Sequence, residues 1–402
     1  VSLLPVIEAR ARVLAGASRL GIENVPLPAA VGRVLAEDIA ATRSQPPFAA
    51  SAMDGYAVRA VDAAEAGATL RLVGSSVAGR RHAGALAPGE TVRIFTGAPV
   101  PDGADTILIQ ENAEALDAET IRVTVPAQPG RHIRRAGLDF ETGDALLSAG
   151  TRLGVRHVAL AAAMNHAILP VGRAPKVGII ATGDELVAPG HTPGPDQIVA
   201  SNTPALAPLV AAAGGEAVDL GIVRDNAAAT VAALADGRDR GVDILVTLGG
   251  ASVGDHDLVR KAFGDVGMEL GFWRIAMRPG KPLIFGHLGD IRVLGLPGNP
   301  VSSMVCAMLF LVPLVRALQG DRDPGPHFHA AVLTHDMAAN DGREDYVRAR
   351  LTEHEDGLPE ADPFSLQDSS MLSTLAASGA LIVRPPNAPA APAGSVCRIL
   401  RL

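Results

Sequence analysis

The residues with the clearest chemical potential stand in three short strings, each following an apolar run. Ala181-Thr182-Gly183-Asp184-Glu185-Leu186 places two adjacent acids after a Thr-Gly pair. Glycine permits the turn, the threonine hydroxyl can donate to a phosphate, and neighbouring carboxylates can hold a hard cation. An ordinary turn and cap would use the same residues. Gly249-Gly250-Ala251-Ser252-Val253-Gly254-Asp255 offers three glycines that let backbone N–H groups approach an anion, a hydroxyl at Ser252, and Asp255 as helix cap or indirect metal ligand. It has neither the Gly-Lys-Ser/Thr ending of a phosphate-binding loop nor the GxGxxG spacing of a dinucleotide fold, so both readings lose. Gly295-Leu296-Pro297-Gly298-Asn299-Pro300 ends an apolar run and opens a long apolar helix. Between the last two strings, Arg278-Pro279-Gly280-Lys281-Pro282 stiffens a turn bearing two cations, suited to an oxyanion or simply to solvent.

These strings need one scaffold to bring them together, and the texture after Pro175 provides it. Apolar runs at 177–181, 217–223, 243–248 and 291–296 alternate with helical stretches at 203–213, 227–234 and 300–318. Such alternation predicts a doubly wound parallel sheet, whose ligands gather beyond the carboxyl ends of its strands. Around this central domain, 171–322, lie a helical and extended linking domain (1–44 with 141–170), an inserted β-rich domain (45–140) and a C-terminal β domain (323–402). The inserted domain reads as short β-branched runs at 69–73, 91–95, 106–109 and 121–125, and the last domain as runs at 330–333, 346–351, 381–383 and 396–400. Helical spacing at 5–20 and 155–165 predicts that these two helices pair, with the β-rich domain inserted between them.

Composition sets the outer limits. A chain of 402 residues exceeds one ordinary core, and 48% hydrophobic residues exclude bulk disorder. A net charge of −8 argues against a nucleic-acid or anionic-membrane binder, so an anionic ligand must meet local donors. Cys306 and Cys397 stand far apart, which excludes disulfide, Fe–S and cysteine–zinc frameworks and fits a reducing cytoplasm. Residues 1–10 read as the start of an amphipathic helix, without a signal-peptide layout. The span 301–318 is apolar enough to suggest a membrane, but Ser302, Ser303, Pro313 and Arg316 make it a buried helix.

Other clusters are weaker alone. Asp54 precedes a glycine turn, Asp139 closes a basic and acidic corner after Arg134 and Arg135, and Arg343, Arg348 and Arg350 surround Tyr346. Ser369 and Ser370 follow a polar loop, while His327, His329 and His335 have no coherent metal-ligand spacing.

Taken together, SAMDGYAV at 51–58, TGAPVPDGAD at 96–105, TGDEL at 182–186, GGASVGD at 249–255, PGKP at 279–282 and LPGNPVS at 296–302 carry a resemblance. In this order they resemble the molybdopterin molybdenumtransferases, the bacterial MoeA proteins and the gephyrin E domain, over nearly the whole chain. The resemblance implies a four-part elongated subunit, a central domain like that of the molybdopterin adenylyltransferases and a small β-barrel-like C-terminal domain. It also implies a homodimer whose cleft joins the central domain of one subunit to the β-rich domain of the other, giving Asp54 and Asp139 a purpose. The implied reaction takes adenylylated molybdopterin and molybdate, uses Mg²⁺, and releases AMP. Asp184, Glu185 and Asp255 are then the metal candidates, with Asp225 a further carboxylate. Lys281, Arg348 and Ser370 are molybdate candidates. Thr182, Gly183, Ser201, Asn202, Gly249, Gly250, Ser252 and Gly254 would line the substrate site. Arg278, Pro282, Pro297, Gly298, Asn299, Pro300 and Ser369 would complete it.

Three departures from the family pattern stand out: Ala200 where an aspartate is usual before Ser201-Asn202, Leu138 in place of a glutamate, and Phe48-Ala49-Ala50 where polar residues are common. A molybdopterin adenylyltransferase and a pterin-binding scaffold without turnover are the alternatives. Implied partners are a molybdopterin adenylyltransferase and molybdoenzyme-maturation proteins, with no nucleic acid and no membrane.

Overall fold

A computed structural model of the chain describes residues 3–249, 264 and 267–402. Two compact units divide it: Val1–Glu37 with Ala149–Gly154 and Leu169–Leu402, and Asp38–Ser148 with Val155–Ile168. The helix Val155–Ala163 therefore falls with the β-rich insertion, while the N-terminal helix Val6–Leu14 falls in the other unit; the pairing of these helices expected from the sequence is not the division found. The N-terminal helix instead buries Val6, Ala9 and Val13 in the core around the stretch 300–317.

The larger unit is built on a six-stranded sheet. In spatial order its strands are Glu216–Val223, Lys176–Thr182, Ile244–Leu248, Ile291–Leu296, Ile284–Leu288 and Glu269–Trp273. The first four are parallel, and the last two are joined on by antiparallel pairings. Successive residues point to opposite faces, so Ile179, Val246 and Leu294 join one core while Ile180, Leu245 and Val293 join another. The first face carries helix Asn202–Ala212 and the stretch Pro300–Ala317; the second carries Ala227–Asp239. Arg173 pins the amino end of the sheet with a two-pronged ion pair to Asp243, at 2.7 and 3.1 Å.

The two antiparallel strands were not among those expected. Gly271 and Gly286 interrupt both apolar runs and read locally as turns. At 286 the reason is close approach, since a Cβ there would lie 2.4 Å from the Glu269 carbonyl.

Among the described residues, Pro300–Ala317 is the one helical stretch long and apolar enough to cross a membrane, and it is 78% buried inside the protein. It is a core helix, as expected. Pro313 has no N–H to donate, and the helix widens to a π-type turn over Ala307–Leu311 just before it.

In the C-terminal region Phe328–Leu333, Glu344–Thr352, Glu360–Pro363, Ala380–Arg384 and Val396–Arg401 close into a five-stranded barrel. Glu360–Pro363 was missed because Pro363 and two acids hide its alternation. Small residues fill the interior, with Ala331, Ala349, Ala361 and Ala380 all buried. A short strand, Met277–Arg278, pairs with Glu344–Thr352 and ties the turn before Lys281 to the barrel.

The smaller unit holds a six-stranded mixed sheet in the order Thr106–Ile109, Gly55–Val58, Glu90–Ile94, Thr69–Ser76, Thr120–Val123 and Ala113–Ala115.

Because Phe310 is fully buried in the larger core, Phe310→Ala is expected to cost about 3–5 kcal/mol. Denaturant unfolding followed by far-UV dichroism checks this; a loss below about 1 kcal/mol would place the ring outside the core.

Candidate functional site

Strand register decides where the sequence strings meet. Ala181 lies opposite Leu248, Leu248 opposite Leu296, and Thr182 opposite Val223. Four strands thus end at one level, and the loops that follow them open a cleft of about 620 Å³. That volume suits a ligand of cofactor size.

The first loop contributes Thr182 and Glu185. Thr182 is nearly buried and donates from Oγ1 to the Leu248 carbonyl at 3.3 Å, so its hydroxyl fixes the strand end. The next residues turn back, and Leu186–Val187 pairs with Ile198–Val199 in a two-stranded flap. Leu186, Ile198 and Val199 form an apolar wall of the cleft, and Ala200 adds to it. Helix Asn202–Ala212 then begins at the cleft; Ser201 makes no capping bond, and Asn202 Nδ2 donates to the Gly298 carbonyl at 2.9 Å.

The second loop begins at Gly249, where φ is +98° and a Cβ would sit 2.8 Å from the Thr182 carbonyl. Only glycine fits both demands. Gly250, Ser252, Gly254 and Asp255 lie outside the described residues. In the third loop Pro297, Gly298, Asn299 and Pro300 all line the cleft, joined by Ser302 from the helix and by Ser370 and Leu372 from the C-terminal region. Asn299 donates from Nδ2 to Ser369 Oγ at 2.8 Å instead of capping its own helix. The amide of Val301 donates to the Ser369 carbonyl at 3.0 Å, so barrel loop and central loop are stitched together.

Electrostatically the cleft is acidic. Its described walls carry the Glu185 and Asp225 carboxylates and no Lys or Arg. Burial, followed by the nearby charges of Glu185 and Asp184, pushes the Asp225 carboxyl above the ordinary aspartate range. Among the described residues no three His, Cys, Asp or Glu side chains are grouped to hold a metal ion. The carboxylates that the described cleft walls offer are those of Glu185 and Asp225.

Several expected contacts fall elsewhere. Asp184 is exposed and does not line the cleft. Pro282 does line it, but its neighbour Lys281 faces a second pocket of about 340 Å³ with Leu3, Ala276, Asp341, Gly342 and Arg343. Arg278 is engaged by Asp345 at 3.0 Å and Asp341 at 3.2 Å. Arg348 is only 1% exposed and lies among barrel-loop acceptors rather than on the cleft wall. Gly183 is buried beside Glu185. Asp54 and Asp139 belong to the smaller unit. There Asp54 Oδ1 accepts from the Thr96 amide at 2.7 Å and hydroxyl at 2.8 Å, which hold the carboxyl below its ordinary range. Sequence reasoning missed Leu186, Ile198, Val199, Thr203, Ser302 and Leu372 as lining residues; Ser302, a polar residue in an apolar helix, was the one with a readable signal.

Comparison with known proteins accounts for this arrangement. Three family profiles match in succession: the MoeA N-terminal region (domain I and II) over 4–165, a probable molybdopterin binding domain over 178–317, and the MoeA C-terminal region (domain IV) over 330–402. The molybdopterin molybdenumtransferase of Haemophilus influenzae is 36% identical over 363 residues, covering 90% of this chain and 89% of that protein. The chain belongs to the molybdopterin molybdenumtransferase family. The Bacillus subtilis member is 35% identical over 389 residues, covering 95% of this chain and 90% of that one. A crystal structure of the molybdopterin biosynthesis MoeA protein from Pyrococcus horikoshii superposes with a TM-score of 0.84 at 29% identity, each chain fully covered. The family's central α/β domain is the one whose strand ends form the cleft.

Asp225 gives a signed prediction. A raised folded-state pKa favours the protonated carboxyl, so its contribution is fully present below the unfolded pKa and is lost as pH rises through the folded value. Asp225→Asn is therefore expected to raise the melting temperature at pH 7, with the gain vanishing below about pH 4. Added Mg²⁺ should stabilise the wild type more than the variant. A variant no more stable at pH 7 would remove the charge strain from the cleft.

Proposed function

We propose that this chain is a molybdopterin molybdenumtransferase that inserts molybdenum from molybdate into adenylylated molybdopterin and releases AMP. The observation that carries the reading is the cleft itself: a cavity of about 620 Å³ at the strand ends of the molybdopterin-binding region, bearing two carboxylates and no described cation. A pyrophosphate ligand is repelled by such walls unless a divalent cation sits between them. Glu185 and Asp225 would hold Mg²⁺, directly or through water, and the family resemblance adds Asp255 to them. When bound, Mg²⁺ supplies neutralisation of the charge that develops on the leaving phosphate.

The chain's own residues do the rest. Leu186, Ile198, Val199 and Leu372 give the planar pterin an apolar wall and exclude water. The uncapped first turn at Ser201 and Asn202 offers amide N–H groups to a phosphate. Ser302 offers a hydroxyl proton to the molybdate oxygens, and Ser370 does so by turning its hydroxyl away from Asp368 Oδ1, to which it donates at 2.6 Å; Lys281 and Arg348 do not line the cleft. Pro297 and Pro300 hold the shape of the third loop. Asp54 and Asp139 enter from the second copy of a homodimer in the cytoplasm; the fixed orientation of Asp54 on Thr96 supports a site built for chemistry.

The test mixes protein, adenylylated molybdopterin and Mg²⁺, then follows AMP on adding molybdate. Molybdate-stimulated AMP release is expected; its absence would sink the reading, and formation of adenylylated product from ATP would replace it with an adenylyltransferase. Glu185→Gln should slow the turnover at least about tenfold, roughly 1.4 kcal/mol of transition-state stabilisation. An unchanged rate would remove Glu185 from the mechanism.

A further inference from the structure

The barrel reaches the cleft through one loop, 364–372, and that loop has little regular structure of its own. It is held instead by a side chain acting as backbone. Gln367 Oε1 accepts from the Arg348 amide at 3.0 Å and from Arg348 Nε at 3.2 Å, while Gln367 Nε2 donates to the Arg348 carbonyl at 3.0 Å and the Phe364 carbonyl at 2.8 Å. The two bonds to the Arg348 backbone extend the edge of strand Glu344–Thr352 sideways into the loop, and the other two hold the Arg348 side chain and the Phe364 carbonyl to the same amide. The Arg348 guanidinium, buried beneath, continues the grip by donating from Nη1 to the Met371 carbonyl at 3.0 Å. Between these two anchors stand Asp368, Ser369 and Ser370. Ser369 is fixed to the central loop, and Ser370 lines the cleft.

We infer that Gln367 is a positioning residue: by tying strand Glu344–Thr352 to the loop, it sets where Ser370 stands at the cleft. It touches no ligand. This inference rests on the proposed function only for what Ser370 does there; the mechanical claim stands on the four bonds. A buried guanidinium satisfied by loop carbonyls, and a glutamine whose amide is fully occupied, hold the loop in one geometry more firmly than one backbone bond would.

Gln367→Met keeps side-chain length and removes all four bonds; Gln367→Glu keeps the acceptor toward Arg348 and replaces the donor. Two readouts are needed. First, hydrogen exchange in the free protein should quicken at the amides of Ser370, Met371 and Leu372 by about tenfold or more in Gln367→Met, and less in Gln367→Glu, with exchange in the barrel strands unchanged. Second, the molybdate KM should rise about tenfold while kcat moves less than about threefold, and Gln367→Met combined with Ser370→Ala should be no worse than Ser370→Ala alone. Unchanged loop exchange would overturn the inference whatever the activity. Multiplying penalties in the double variant would also overturn it, since Gln367 would then not act through Ser370. If the wild type shows no molybdate-dependent turnover, the functional reading fails and loop exchange alone decides the role of Gln367.

Discussion

The parallel register of the central strands is the constraint on which everything else rests. Because Ala181, Leu248 and Leu296 are neighbours across the ladder, the loops that follow must leave the sheet at one level. Shifting one strand by one residue would turn its core residues to the opposite face. Ile179 and Val246 would then lose the apolar helices on one side, and Thr182 would lose its bond to Leu248. The hydrophobic pattern that stabilises the sheet therefore also fixes the geometry of the cleft. The Arg173–Asp243 pair fixes the other end of the same strands.

What the sheet gathers is chemically one-sided. Carboxylates and hydroxyls face the cleft, whereas the cations of the Arg278–Lys281 turn face away or are already paired. The barrel completes the wall by inserting Ser370 and Leu372, so the C-terminal region is part of the site and not an appendage to it. Asn202 and Ser369 tie the third loop from two directions, at the Gly298 carbonyl and at the Asn299 side chain.

Much of this was legible in the sequence, for a physical reason. Central strands such as Lys176–Thr182 and Ile244–Leu248 are buried on both faces and read as near-continuous apolar runs. The two strands containing Gly271 and Gly286 are governed by a close approach that only the fold reveals. The glycine and proline loops were found because their residues are local turn chemistry. The apolar wall was not, because Leu186–Val187 and Ile198–Val199 are two-residue strands whose only signal is pairing with each other. Lys281 and Pro282 show the limit most sharply: adjacent residues of one motif face different pockets, and spacing alone carries no such direction. Arg348 shows another, since a buried structural arginine and a ligand-binding one look alike in a sequence.

The claim that this cleft is where the pterin binds is tested most directly by a hydrogen-exchange footprint of the intact protein with and without adenylylated molybdopterin and Mg²⁺. The account predicts protection of the segments containing Glu185, Ile198 to Thr203, Gly298 to Ser302 and Ser370 to Leu372. Protection confined to the pocket around Leu3, Lys281 and Arg343, with those four segments unchanged, would contradict it.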